Sequence, residues 1–223
     1  MNIGFLHSAE SNIQVFNKAA LALGRNDLLF AHEVRGDLLA AAERAGGLTD
    51  EIIARTAAAL QEIRPGADVL VLTCSTLGPA VDALHPPLDI PVLRVDEALA
   101  REAVRGGGMV QVLCAAPTTI EPTREIFERH AKTAGARIGV TLVPGAWPAY
   151  KVGDRKRYHQ LIAEAADNAY RGGARIVALA QASMAGAARL CNAGTPLTSP
   201  LAGLKAAIRA AEAHTAPISA LHT

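Results

Sequence analysis

Cys74 closes an apolar run, Val69 to Leu72, and is followed by Ser75 and Thr76. A thiol can take or give a proton, or attack carbon. Hydroxyls beside it can hold a carboxylate without adding a full counter-charge. The same run returns at Ile176, with Gln181 in the place of Cys74, Ser183 in that of Thr76 and Met184 in that of Leu77. A carboxamide neither exchanges a proton nor attacks carbon near neutral pH. One reactive group therefore stands on a duplicated scaffold. The motif predicts a strand ending before Cys74 and a helix opening near Leu77. A helix N-terminus there would lower the thiol pKa from about 8.5 toward neutrality. The competing assignment is a small apolar residue packed at a strand end.

Further polar residues fall at comparable points of the chain. Ser8, Asn12, Ser75, Thr76, Thr118, Thr119 and Ser183 are candidates to bind a carboxylate, with Met184 beside them. Ordinary helix capping by Ser and Thr is the alternative. His7 aligns with Cys114, and either is a candidate for a second proton carrier, as is Gln181 for a contact on the opposite face of a ligand. Packing under the loops is the alternative for both strand ends. Cys191 falls inside an apolar helical segment and is assigned to the core. Trp147 is a candidate wall of a binding site or a packed loop residue. Arg94 and Asp96 suit a second charged contact or a solvated ion pair.

The elements that position these residues follow from the repeat. Ile3 and Val110, Arg64 and Arg171, and Cys74 and Gln181 are each separated by 107 positions (110 − 3, 171 − 64, 181 − 74). Pro91 and Pro196 are separated by 105, which implies a short loop deletion. So long a period means two similar lobes rather than a solenoid. Short apolar runs alternate with segments of helical period, the pattern of parallel βα units. Strands are expected near 2–7, 28–34, 68–73 and 91–95, then near 108–114, 138–143, 175–180 and 196–198. Helices are expected near 12–23, 48–63, 77–84 and 96–104, then 119–134, 153–171, 184–193 and 200–214. The fold class is α/β: two pseudo-symmetric lobes, each a mainly four-stranded parallel sheet flanked by helices, with the active-site cleft between them. Residues 1–105 form the first lobe, joined by the C-terminal helix 200–223, and residues 106–199 form the second. Ligands of open parallel sheets bind beyond the carboxyl ends of the strands. Cys74 and Gln181 would then flank one cleft.

Composition narrows the function. The chain has 223 residues, 50% of them hydrophobic, and a net charge of +1 without a basic run, which leaves nucleic-acid binding unsupported. No apolar stretch reaches the roughly 18–20 residues of a membrane span. Three cysteines without zinc spacing suit a reduced, cytoplasmic setting. No cluster has metal-ligand spacing and no Gly-rich nucleotide loop follows the first strand, so chemistry without a cofactor is expected. The expected partner is a small carboxylate substrate, and self-association into a homo-oligomer stays open.

The Leu72-Thr73-Cys74-Ser75-Thr76 motif, the duplication and the Thr118-Thr119 turn together resemble the aspartate/glutamate/hydantoin racemase superfamily, with its maleate isomerase and arylmalonate decarboxylase relatives. The resemblance covers essentially the whole chain. It implies cofactor-independent chemistry at a carbon beside a carboxylate, with Cys74 catalytic. Typical racemases of this superfamily use two cysteines on opposite faces of that carbon, and this chain departs from them at Gln181. The resemblance therefore leaves three outcomes open: racemisation with another second base, decarboxylation or cis–trans isomerisation by Cys74 alone, and ligand binding without catalysis.

Overall fold

The structure, a computed structural model, describes residues 1–215. Residues 216–223, which the sequence assigns to the last helix, lie outside the described part.

Each half of the chain folds into a four-stranded parallel sheet. The first contains β1 (Asn2–His7), β2 (Leu29–Val34), β3 (Val69–Leu72) and β4 (Val92–Arg94), in the order β2-β1-β3-β4. The second contains β5 (Gly108–Cys114), β6 (Ala136–Leu142), β7 (Ile176–Leu179) and β8 (Leu197–Thr198), in the order β6-β5-β7-β8. The central strands are apolar on both faces, as a sheet covered by helices on both sides requires: all four residues of β3 are buried. Register confirms the repeat and refines it. Val71 pairs with Leu93 and Ala178 with Leu197, so the fourth strands are related by 104 positions (197 − 93). The one-residue difference from the proline alignment arises because hydrogen bonding, not the prolines, sets the register.

The helices are α1 (Ser11–Ala22), α2 (Gly36–Ala45), α3 (Asp50–Glu62), the short α4 (Pro79–Asp82), α5 (Val95–Val104), α6 (Ile120–Ala134), α7 (Ala146–Lys151), α8 (Arg155–Arg171) and α9 (Ser199–Thr215). Local chemistry sets several of their ends. The Thr49 hydroxyl accepts a hydrogen bond from Ile52 N, and Asp50 and Glu51 occupy the first turn of α3. The Asp154 carboxylate accepts one from Arg157 N at the start of α8. Gly135 stops α6 with φ +63°, a left-handed conformation that costs a side-chain-bearing residue energy. Two helices, α2 and α7, were not expected. The segment after Gln181 is a 3₁₀ stretch, Ala182–Leu190, rather than an α-helix.

Two helices tie the lobes together. α5 sends Leu99, Ala100 and Ala103 into the core of the second sheet, beside Val110, Val112 and Ala178. α9 sends Leu204, Ala207, Ile208 and Ala211 into the core of the first, beside Ile3, Phe5 and Phe16. Each sheet is thus covered by the helix that follows the other lobe's neighbouring strand. Burying one side chain the size of Phe16 stabilises by about 1.5–3 kcal/mol, so this exchange holds the cleft walls at a set spacing.

Candidate active site

The carboxyl ends of β1, β3, β5 and β7 meet at one cleft of about 130 Å³. From the first lobe it is lined by Ser8, Ala9, Asn12, Leu39 and the run Thr73 to Thr76. From the second it is lined by Ala116, Thr119, Trp147, Tyr150 and the run Gln181 to Ser183. None of these side chains carries a formal charge, Cys74 being neutral as described below. Among the described residues, two side-chain hydrogen bonds join the lobes across the cleft. Thr76 Oγ1 lies 3.3 Å from Thr118 Oγ1, and Ser11 Oγ lies 3.2 Å from the Tyr150 hydroxyl.

Cys74 is the thiol that reaches the cleft, at 8% exposure, and it caps the core formed by Leu6, Leu38 and Leu77. Burial pushes its pKa up. The Ser8 hydroxyl and the backbone N–H groups of Thr76 and Leu77 face the sulfur and pull the other way, and Asp96 adds to the rise. Burial wins, which corrects the expected fall toward neutrality. The physical reason is local: residues Ser75 to Gly78 form a turn, and the helix behind it spans only four residues. At neutral pH the sulfur is a protonated thiol surrounded by groups that would receive the negative charge left by its proton.

Facing it by pseudo-symmetry, Gln181 makes a different use of its position. Its Oε1 accepts hydrogen bonds from Ala115 N at 2.6 Å and Ala116 N at 2.9 Å. The Nε2 group makes no hydrogen bond among the described residues and remains a donor at the cleft.

The other sequence candidates separate by layer. Ser75, Thr76, Asn12 and Thr119 line the cleft, but the Thr119 hydroxyl donates to Ala116 O at 2.7 Å and so is spent within its own turn, without capping α6. Ser183 lines it with its hydroxyl 2.8 Å from that of Tyr158. Thr118 stands at the rim through its contact with Thr76. Three candidates are corrected. His7 is fully buried, with Nδ1 2.8 Å from Thr73 Oγ1 and Nε2 2.9 Å from His32 Nδ1. Burial, and secondarily the neighbouring His32, lower its pKa to about 3. It is a neutral ring beneath Thr73, not a group a substrate can touch. Cys114 is fully buried against the Thr119 and Thr123 hydroxyls, and burial pushes its thiol up. Met184 is fully buried in the second core with Leu113, Tyr158 and Leu179. His7 and Cys114 fail for one reason: at a strand end, alternate side chains point under the loops rather than into the cleft. Met184 turns from its 3₁₀ stretch into the second core.

Arg94 and Asp96 lie outside the cleft. They form a paired, buried bridge, with Arg94 Nε and Nη2 donating to the two Asp96 carboxylate oxygens at 3.1 and 2.9 Å. Arg94 Nη1 also donates to Asp82 at 2.9 Å. The guanidinium packs so close to Gly78 that a Cβ there would meet it at 2.6 Å, so the turn after Cys74 is braced from behind.

Trp147 does line the cleft, and Tyr150, which sequence reasoning missed, lines it too. Their rings stack at 5.0 Å and 8°, and the Arg155 guanidinium lies 3.7 Å over Tyr150. The three-residue spacing of Trp147 and Tyr150 was the available signal, because it puts both on one face of a helical turn. Thr73, inside the first motif, and Leu39, on α2, also line the cleft and were not anticipated from the sequence. Among the described residues no group of three or more His, Cys, Asp or Glu is arranged to hold a metal ion, and no helix is long and apolar enough to cross a membrane.

Solved structures share this fold. The chain is similar to the aspartate racemase of Picrophilus torridus at 13% identity, with a TM-score of 0.73 over 95% of this chain and 94% of that one. It is similar to the allantoin racemase of Pseudomonas fluorescens at 18% identity, with a TM-score of 0.68 over 98% and 95%. It is similar to the glutamate racemase of Thermus thermophilus, solved with beta-chloro-D-alanine, at 21% identity, with a TM-score of 0.64 over 95% and 80%. Identities this low speak for the fold. No curated protein matches the chain in sequence. A family model, Asp/Glu/Hydantoin racemase, matches residues 6–211, which include both lobes and both sides of the cleft. On that match the chain belongs to the Asp/Glu/Hydantoin racemase family.

Proposed function

We propose that the protein is a cofactor-independent enzyme that moves a proton on one face of a carbon adjacent to a carboxylate, with Cys74 as the proton carrier. The observation that carries this reading is the position of Cys74. It is a neutral thiol at the cleft, with the Ser8 hydroxyl and two backbone N–H groups facing its sulfur. The carbanion forms where a neighbouring carboxylate leaves as CO2 and the electron pair of the broken C–C bond stays on carbon as the enediolate. The protonated thiol then gives that carbon its proton, and the surrounding donors stabilise the thiolate until solvent restores the proton. The Ser75 and Thr76 hydroxyls support charge on the substrate carboxylate as it becomes an enediolate.

The uncharged lining favours a substrate whose remaining groups are uncharged. An ammonium enclosed here would lose its hydration without gaining a carboxylate partner, which costs several kcal/mol. The Trp147–Tyr150 stack offers an apolar wall for such a substituent. Gln181 opposite Cys74 favours chemistry on one face over exchange between two thiols.

The test is incubation in deuterated water with α-substituted carboxylates, amino acids, maleate and substituted malonates, followed by mass spectrometry and chiral analysis. Deuterium entering at carbon, and lost by at least about a thousandfold in Cys74→Ala, is the expected result, in the range of removing an acid–base group. Deuterated product with loss of CO2 from a malonate marks decarboxylation, whereas conversion of maleate to fumarate, which need not take up deuterium, marks isomerisation. Tight binding of any of them with neither exchange nor turnover would replace the enzyme reading with that of a binding protein.

A further inference from the structure

The repeat relates Ser8 and Ala9 to Ala115 and Ala116 at the same offset of 107 that relates Cys74 to Gln181 (115 − 8, 116 − 9). The two halves of the cleft use these matched groups differently. In the second lobe the backbone N–H groups of Ala115 and Ala116 are both bonded to Gln181 Oε1. In the first lobe the N–H groups of Ser8 and Ala9 make no hydrogen bond among the described residues, and both residues line the cleft. Side-chain length explains the difference. A cysteine ends one bond past Cβ, whereas the glutamine oxygen lies three bonds past it. The glutamine fills the space that the thiol leaves open.

We infer that Gln181 is a specificity-determining residue: its carboxamide oxygen occupies the second of two pseudo-equivalent oxyanion sites, so the cleft has one amide-pair site open to a carboxylate, on Ser8 and Ala9, and offers an amide N–H donor to an uncharged acceptor at the substrate's other end. Paired backbone N–H groups are a recurring anion site, because two aligned donors share the charge without adding one. The Gln181 oxygen marks where a ligand oxygen would sit if the second site were empty. With Oε1 engaged twice, Nε2 is the part of the side chain left for a ligand, and as a donor it selects a carbonyl or ether oxygen over a cation. The substrate class thereby narrows to acids that keep one carboxylate on the Ser8–Ala9 amides and carry an uncharged hydrogen-bond acceptor at the other end, any further carboxylate being the group lost. This inference rests on the proposed site at Cys74, but its test does not require turnover.

The experiment is a sodium acetate titration of the ¹⁵N-labelled full chain followed by amide resonances. In the unaltered protein, Ser8 and Ala9 should shift saturably while Ala115 and Ala116 stay still. In Gln181→Ala both pairs should shift, and bound acetate should double from one to two per chain. In Gln181→Glu the carboxylate keeps the second pair bonded, so Ala115 and Ala116 should again stay still. This variant keeps the test decisive if Gln181→Ala does not fold. Acetate-dependent shifts at Ala115 and Ala116 in the unaltered protein or in Gln181→Glu would overturn the inference. So would silence at those residues in a folded Gln181→Ala, or silence at Ser8 and Ala9 throughout. Failure of the cysteine chemistry appears in the deuterium experiment instead and leaves these titrations unchanged.

Discussion

Thr76 Oγ1 of the first lobe lies 3.3 Å from Thr118 Oγ1 of the second. The two residues come from different sheets, so this contact closes the rim of the cleft only when the lobes hold their present spacing. A carboxylate entering between the hydroxyls would accept a hydrogen bond from each.

Thr76→Ala and Thr118→Ala should each therefore weaken substrate binding. The expected rise in KM is about five- to twentyfold, corresponding to roughly 1–1.8 kcal/mol for a hydrogen bond to a charged group. Thr76→Ala should in addition lower kcat, because Thr76 stands in the motif beside Cys74, whereas Thr118→Ala should leave kcat within about twofold. Steady-state kinetics on the substrate identified by deuterium exchange would check both. Unchanged KM in both variants would remove the hydroxyl pair from the binding site.

The three cysteines should differ in reactivity for stated reasons. Cys191 is partly exposed, but burial and Asp167 push its pKa up to about 11. Cys114 is fully enclosed. Cys74 is raised by burial as well, yet it opens on the cleft and has donors facing its sulfur. Iodoacetamide should modify Cys74 first, slowly at pH 7 and faster as pH rises toward 9, and acetate should protect it. Peptide mass spectrometry reads each site separately. Uniform labelling unaffected by ligand would contradict the placement of Cys74 at a binding cleft.

Acid should destabilise the fold through His7. Its pKa in the folded protein is about 3, against an ordinary value of 6.5, because burial and the neighbouring His32 disfavour the charged ring. Between those values the unfolded chain binds a proton that the folded chain does not, so stability falls as pH falls. The full contribution is present above pH 6.5 and is lost toward pH 3, with a slope of up to about 1.4 kcal/mol per pH unit. His32, whose pKa burial also lowers, acts in the same direction. Urea unfolding midpoints at pH 7, 5.5 and 4.5 should decline in step. His7→Leu should flatten that decline while costing about 1–3 kcal/mol at pH 7, since His32 Nδ1 loses its partner and the Thr73 hydroxyl keeps only its bond to Leu6 O. An equally steep decline in His7→Leu would locate the acid sensitivity elsewhere.

The Arg94–Asp96 pair braces the turn that presents Cys74. Both side chains are buried, so Asp96→Asn leaves a guanidinium short of its buried, two-point counter-charge, and should cost about 3–5 kcal/mol. Asp82 touches the same guanidinium but is 55% exposed, and Asp82→Asn should cost less than about 1 kcal/mol. Denaturant midpoints of the two variants make the comparison. Equal losses would mean that the bridge is not held by burial.

Much of this protein is legible in the linear chain because a duplication leaves a countable record. The offset of 107, the alternation of apolar runs with helical segments, and the alignment of Cys74 with Gln181 led to two parallel sheets with one thiol between them. Each of those inferences depends on periodicity, and periodicity survives in sequence because it reflects which faces must be apolar. What only the tertiary structure decided is which polar groups meet. His7 and Cys114 sit at the same strand ends that face the cleft, yet both point beneath it. Tyr150 reaches Ser11 across 139 positions, and Gln181 reaches Ala115 across 66. The exchange of α5 and α9 between the sheets sets the first of those distances, and the pairing of β5 with β7 sets the second. Contacts of that range follow from how two packed surfaces settle against each other. Residue types alone carry no register for them. Cys74 was visible as a reactive group from its own neighbours, but the bonds from the Ala115 and Ala116 amides to the Gln181 oxygen, whose counterparts at Ser8 and Ala9 are free among the described residues, exist only in the tertiary structure.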